Sequence, residues 1–233
     1  MALFTSQSAK LAKGAGQGVE GLILYLSPAV LDSKDVCPWR SPGCTAACLG
    51  ETSGRMIMPN ARNARQRRTR LYHSDPTTFW AEVTAEVTAL VRRSAKVGAR
   101  PAVRMDGTSD LGLSARLAPI FPDVIWYDYT KSPERMRQWL RARARGEQVN
   151  RYLTFSRSET NEADAVKVLK AGGNVAVVFS TKRHDVLPKV WNGFKVLDGD
   201  KDDWRLKDPQ GIVVGLRAKG SARKDTTGFV VPA

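Results

Sequence analysis

Short apolar runs alternate with amphipathic stretches along most of the chain. Gly21–Leu26 (GLILYL) has the continuous apolar character of a buried strand. Pro101–Asp106, Val124–Tyr129, Asn150–Ser156, Asn174–Ser180, Phe194–Leu197 and Gly211–Arg217 read as further strands. Between them lie helical patterns. Asn60–Tyr72 is Arg-rich and reads as helix. Ser74 or Asp75 can cap the next helix, with Pro76 in its first turn and Phe79, Val83, Val87, Leu90 and Val91 on one face. Ser132 caps a helix that begins at Pro133 and ends near Gly146. Thr160–Ala171 is a helix stopped by Gly172 and Gly173.

Strands alternating with helices predict an α/β fold with parallel βαβ units, either doubly wound or a full or partial barrel. Nearly every predicted strand ends in polar residues. Arg104 and Asp106 stand at the end of the second, Asp128 and Lys131 at the end of the third, Ser156, Ser158 and Glu159 at the end of the fourth, Ser180 at the end of the fifth, and Asp198 and Asp200 at the end of the sixth. In parallel α/β proteins the C-terminal strand ends converge on the active face, which favours a barrel-like arrangement. The residues expected to pack are those of one domain spanning 21–233, preceded by a polar, flexible arm over 1–20.

Composition narrows the class. The chain has 233 residues, 42% of them hydrophobic and 26% charged, enough to bury a full core. No apolar run approaches the roughly 18 residues of a membrane span, and the N-terminus lacks the apolar centre of a signal peptide, so a cytoplasmic location is expected. Net charge is +14, which points to nucleic acid or another anionic partner. Arg55, Arg62, Arg65, Arg67, Arg68 and Arg70 form the densest basic segment, and Arg141, Arg143 and Arg145 a second. These are either phosphate contacts or solvated helical faces. No helix-turn-helix, zinc-finger or RNA-recognition motif is present, so contact with nucleic acid would be mostly to its backbone.

All the cysteines, three in number, fall in the segment Cys37-Pro-Trp-Arg-Ser-Pro-Gly-Cys44-Thr-Ala-Ala-Cys48, a C-x6-C-x3-C pattern directly after the first strand. A secreted disulfide framework uses an even number spread along the chain, so clustered thiols point to metal. Thiolates suit iron–sulfur clusters and zinc. Zinc prefers four ligands in a closed site, and His73 and His184 lack finger-like spacing. Three cysteines with one open iron fit more economically. Pro42 and Gly43 provide a turn that can fold the loop around a centre.

Other polar groups have two readings each. Arg104, Asp106, Ser109 and Asp110 either bind a carboxylate or phosphate or pair to hold the strand end. Tyr127, with Tyr129, either stacks on a base or packs, and Asp128 lies on the opposite strand face. Ser156, Ser158, Glu159 and Asn161 either bind a hydroxylated ligand or cap the next helix. Asp198–Asp203 either binds a divalent cation or forms a turn paired with Arg205.

Three cysteines after the first strand of a βα chain resemble the radical S-adenosylmethionine superfamily. The Ser-Pro-Gly-Cys turn is similar to that of radical-SAM-like phage proteins. SPGCTAACLG, RMDGTSD, WYDYTK, TFSRSE and DGDKDDWR also resemble a family of small phage-encoded proteins of unknown role, from about Gly21 to the end. The resemblance implies a partial (β/α)6 barrel, with Cys37, Cys44 and Cys48 holding a [4Fe–4S] cluster whose open iron takes S-adenosylmethionine or another small ligand. By their place at the polar strand ends, Arg104, Asp106, Ser109, Asp110, Tyr127, Asp128, Ser156 and Glu159 are candidate cofactor contacts. The superfamily's usual spacing is C-x3-C-x2-C, both intervals shorter than here, and Ala47 stands where an aromatic residue is common. The competing reading is a basic nucleic-acid- or protein-binding factor with a structural or redox-sensing cluster, or with zinc.

Overall fold

The computed structural model describes residues 2–6, 11, 18–147, 149–201 and 204–233. Most of the predicted arm and the tip of the acidic run, Asp202 and Asp203, lie outside the described residues. In chain order the strands are β1 (Phe4–Thr5), β2 (Val19–Leu24), β3 (Val30–Leu31), β4 (Lys34–Asp35), β5 (Arg100–Arg104), β6 (Ile125–Thr130), β7 (Arg151–Ser156), β8 (Asn174–Phe179), β9 (Val190–Trp191), β10 (Phe194–Asp198) and β11 (Val213–Arg217). The helices are α1 (Pro42–Ala46), α2 (Leu49–Thr52), α3 (Pro59–Ser74), α4 (Pro76–Lys96), α5 (Ser114–Leu117), α6 (Pro133–Ala144) and α7 (Glu162–Lys170). The described residues form a mixed α/β fold with mostly parallel pairing, and no closed barrel is formed among them.

The chain folds into two compact units assembled from discontinuous segments. The first comprises Met1–Pro38, Met58–Asp128 and Gln148–Tyr152, and the second Trp39–Ile57, Tyr129–Glu147 and Leu153–Ala233.

In the first unit β1 pairs antiparallel with β2, β2 parallel with β5, and β5 parallel with β6. Part of the predicted arm is therefore strand, and Leu3 and Phe4 are buried there. Helix α4 carries the strongest apolar pattern. Asp75 caps it by accepting the Thr78 N–H at 3.0 Å, Pro76 opens it, and Phe79, Val83, Val87 and Leu90 are wholly buried. They pack with Leu22, Leu24, Val103 and Trp126 into one core. Each such side chain contributes about 1.5–3 kcal/mol on burial. The β3–β4 hairpin turns through Asp32 and Ser33, both in the left-handed region (φ 48° and 64°), where short polar residues are tolerated.

In the second unit β7 pairs parallel with β8, β8 with β11 and β11 with β10, and β9 pairs antiparallel with β10. Its main core joins Met136 and Trp139 of α6, Ala165, Val168 and Leu169 of α7, and Phe155, Val175, Val177 and Phe179 of the strands. Among the described residues of the acidic turn, Asp198 and Asp200 are tied by Arg217. Arg217 pairs with Asp198 at 2.9 Å and Asp200 at 3.2 Å, because β10 and β11 lie side by side. Arg205 pairs with Asp208 at 3.1 Å.

Candidate functional site

The cysteine segment is not an irregular loop. Ser-Pro-Gly-Cys opens the short helix α1: Ser41 is its N-cap, accepting the Cys44 N–H at 3.1 Å, and Pro42 occupies the first turn. Cys48 sits extended before α2 and serves as its N-cap position. Glu159 anchors this turn. Its carboxylate accepts the Ser41 hydroxyl at 2.8 Å and the Gly43 N–H at 2.7 Å. Gly43 is required by close approach, since an added Cβ would lie 2.2 Å from Thr227 Oγ1 and 2.8 Å from Phe229 Cβ. Glu159 thus holds the thiol-bearing backbone, and Ser156 accepts a hydrogen bond from Lys131 Nζ at 3.2 Å.

Cys44 and Cys48 belong to the second unit, and Cys37 to the first. Burial pushes the Cys48 thiol up. The N–H groups of Gly50 and Glu51 oppose this by favouring the thiolate, while Cys44 and Glu51 disfavour it. The Cys37 sulfur lies 3.5 Å from the Thr108 carbonyl, to which it donates, and accepts the Ala29 N–H at 3.5 Å. None of the cysteines forms a disulfide, and all are partly buried. The donor types suit a thiophilic metal. Among the described residues, however, no group of three or more His, Cys, Asp and Glu side chains is placed to hold a metal ion. The chemistry of the donor set fits the expected cluster.

The first unit holds a second arrangement, where several of the predicted contacts come together. Asp106 follows β5 and is almost fully buried. Its Oδ1 accepts Ser109 Oγ at 2.6 Å and Leu111 N–H at 3.1 Å, and its Oδ2 accepts the N–H groups of Gly112 and Leu113 at 2.7 and 3.2 Å. Its own N–H donates to Asp128 Oδ1 at 2.8 Å. Arg104, Ser109 and Asp110 are buried in the same region, as is Tyr127. Gly107 lets this turn approach β2, since a Cβ there would lie 2.6 Å from the Leu24 carbonyl oxygen. Burial and the neighbouring Asp106 charge raise the Asp128 carboxyl to about 7, against the smaller effects of Ser114, the Asp106 N–H and Arg104. Two members of this cluster have no sequence signal. Ser114 and Arg151 are buried, and Arg151 Nε donates to Ser114 Oγ at 3.1 Å. A shallow groove on the exposed side of α4, lined by Ala85, Thr88, Ala89, Arg92, Arg93 and Lys96, shares no residue with either arrangement.

No helix among the described residues is long and apolar enough to cross a membrane. The family model described as Gene product 88 matches residues 2–233. No curated protein matches the chain, and no solved structure does.

Proposed function

We propose that this chain, which belongs to the Gene product 88 family, is a phage metalloprotein whose cysteine segment binds an iron–sulfur centre through Cys37, Cys44 and Cys48. The observation that carries the reading is the built turn around Cys44 and Cys48. Ser41, Gly43 and Glu159 fix its backbone, and the Gly50 and Glu51 N–H groups favour negative charge on the Cys48 sulfur. Amide donors aimed at a cysteine sulfur are what a bound thiolate needs, since they tune and stabilise metal-held sulfur. Without metal, burial keeps that thiol protonated. In this reading the fold is a partial (β/α)6 barrel, and an open iron would bind the S-adenosylmethionine that the resemblance implies. Arg104, Asp110, Tyr127, Asp128 and Ser156 remain candidate contacts for it. Asp106 and Glu159 act instead on the protein's own backbone.

Anaerobic purification followed by iron and sulfide analysis tests the proposal. Iron and sulfide in the protein, lost on Cys44→Ala substitution, are expected. A colourless, zinc-loaded or metal-free protein after reconstitution refutes the cluster. Incubating the reduced protein with S-adenosylmethionine and assaying 5′-deoxyadenosine separates an enzyme from a structural or redox-sensing centre.

The net charge of +14 favours a second reading, a factor that binds nucleic acid or another anionic partner. Binding to DNA or RNA that weakens steeply with salt supports it, and no binding at low salt refutes it.

A further inference from the structure

Two carboxylates are buried against each other at the ends of β5 and β6, Asp106 at 2% exposure and Asp128 at 3%. Their partners are unequal. Asp106 accepts four hydrogen bonds, from Ser109, Leu111, Gly112 and Leu113. Asp128 accepts a single backbone N–H, that of Asp106, on Oδ1, with the Ser114 hydroxyl as its other hydrogen-bond partner. The Ser114 hydroxyl faces Asp128 while accepting from Arg151. Two adjacent buried anions repel strongly, so such a pair keeps one proton, and the better-solvated partner takes the charge. The proton therefore resides on Asp128.

We propose that the Asp106–Asp128 pair is a one-proton latch: protonated, it holds the 106–113 turn closed, and its loss loosens that turn and the backbone behind Cys37. The connection is covalent and hydrogen-bonded within one unit. Gly107 N–H donates to Leu24 O at 3.0 Å, and Asp110 N–H to Val36 O at 2.8 Å. The Thr108 hydroxyl donates to Leu26 O, and the Thr108 carbonyl faces the Cys37 sulfur.

The charges around the pair come from every element packed on it. Arg104 of β5 favours ionised Asp128, but less than burial and Asp106 oppose it. Arg151 of β7 reaches it through Ser114. Burial, then the charge of Asp106, raises the Tyr72 hydroxyl of α3, and Arg116 of α5 opposes them. Asp110 is buried in the same turn.

The sign follows from the direction of the shift. A carboxyl raised from 3.8 to about 7 on folding binds its proton more tightly when the turn is closed than when it is open. Opening therefore becomes easier as pH rises from about 4 to about 7, and then levels off. Between about pH 5.5 and about pH 8.5 the opening constant rises about 30-fold.

Hydrogen exchange of the peptide covering the turn tests this, with intrinsic exchange rates divided out. The expected result is a loss of protection of about 30-fold across that range in the natural protein, and none in Asp128→Asn. Equal protection at both pH values, or an unchanged pH response in Asp128→Asn, overturns the latch. Infrared spectroscopy of the natural protein in D2O gives a readout independent of the variant's folding. A protonated-carboxyl band that persists near pH 6 and disappears by about pH 8.5 is expected from the shift, and its absence near pH 6 overturns the proposal.

Discussion

Replacing Glu159 by Ala removes the anchor of the cysteine turn and leaves its helix cap in place. Glu159 accepts the Ser41 hydroxyl at 2.8 Å and the Gly43 N–H at 2.7 Å. Hydrogen bonds to a charged group contribute about 1.5–3 kcal/mol each, and the half-buried position of Glu159 argues for the low end, so the pair contributes about 3 kcal/mol. Ser41 still accepts the Cys44 N–H, so α1 itself persists. The turn should open about 100-fold more often, at roughly 1.4 kcal/mol per factor of ten. Alkylation of the partly buried Cys48 reports this directly. Under conditions where opening precedes reaction, Glu159→Ala should react faster by that factor. Glu159→Gln, whose amide oxygen still accepts one bond, should fall between the two. Because Ser41 and Glu159 touch, the Ser41→Ala, Glu159→Ala cycle should show a coupling of about 1–2 kcal/mol. An alkylation rate within about twofold of the natural protein, with denaturant stability changed by less than about 0.5 kcal/mol, refutes the anchor. The packing of Thr227 and Phe229 on Gly43 would then be sufficient to hold the turn.

Other substitutions probe each unit separately. Leu90→Ala deletes a wholly buried side chain of α4 and should lose about 2–5 kcal/mol in urea unfolding; a loss under about 1 kcal/mol would mean that the core relaxes around it. Asn150→Ala frees the Ala118, Phe121 and Val124 carbonyls that its amide joins at 3.0–3.2 Å, and should cost about 1–3 kcal/mol by the same assay, with a neutral result showing that water replaces the amide. Arg157→Met strips the Gly228 and Phe229 carbonyls of their guanidinium donor and breaks the Glu162 pair, so trypsin should cut faster after Arg223 and Lys224. An unchanged cleavage rate there would place the C-terminal anchor elsewhere, for instance at the Phe179–Val231 bridge.

The long parallel strands and amphipathic helices were legible because each has its own period. The predicted strand at Pro101–Asp106 is Arg100–Arg104, and that at Val124–Tyr129 is Ile125–Thr130. The helix expected from Pro133 runs Pro133–Ala144, with Ser132 accepting the Arg135 N–H as its cap. The two-residue strands β1, β3, β4 and β9 were not legible, since two residues carry no period. The cysteine segment was misread for a different reason. Ser-Pro-Gly is a turn signature, but Ser at the N-cap followed by Pro in the first turn is equally a helix start. Only the surroundings decide between them, and here Glu159, 116 residues from Gly43, fixes the choice.

The same distance limit explains what the sequence showed of the candidate site. Arg104, Asp106, Ser109 and Asp110 were found together because they lie on one strand end. Ser114 and Arg151, 37 residues apart, belong to the cluster through tertiary packing alone, and neither has a local feature that announces it. Nearness in sequence does not by itself put the cysteines in one unit. Cys37 and Cys44 are separated by six residues, yet the chain leaves the first unit after Pro38, so the two fall in different units. A spacing motif therefore records ligand type more reliably than ligand assembly. Thiolates at C-x6-C-x3-C specify a soft metal by chemistry, whereas gathering them is a tertiary property. Metal analysis of Cys37→Ala beside Cys44→Ala reads that property directly. Equal loss of iron from both variants makes Cys37 a ligand, and loss confined to Cys44→Ala reduces the centre to the pair held by Glu159.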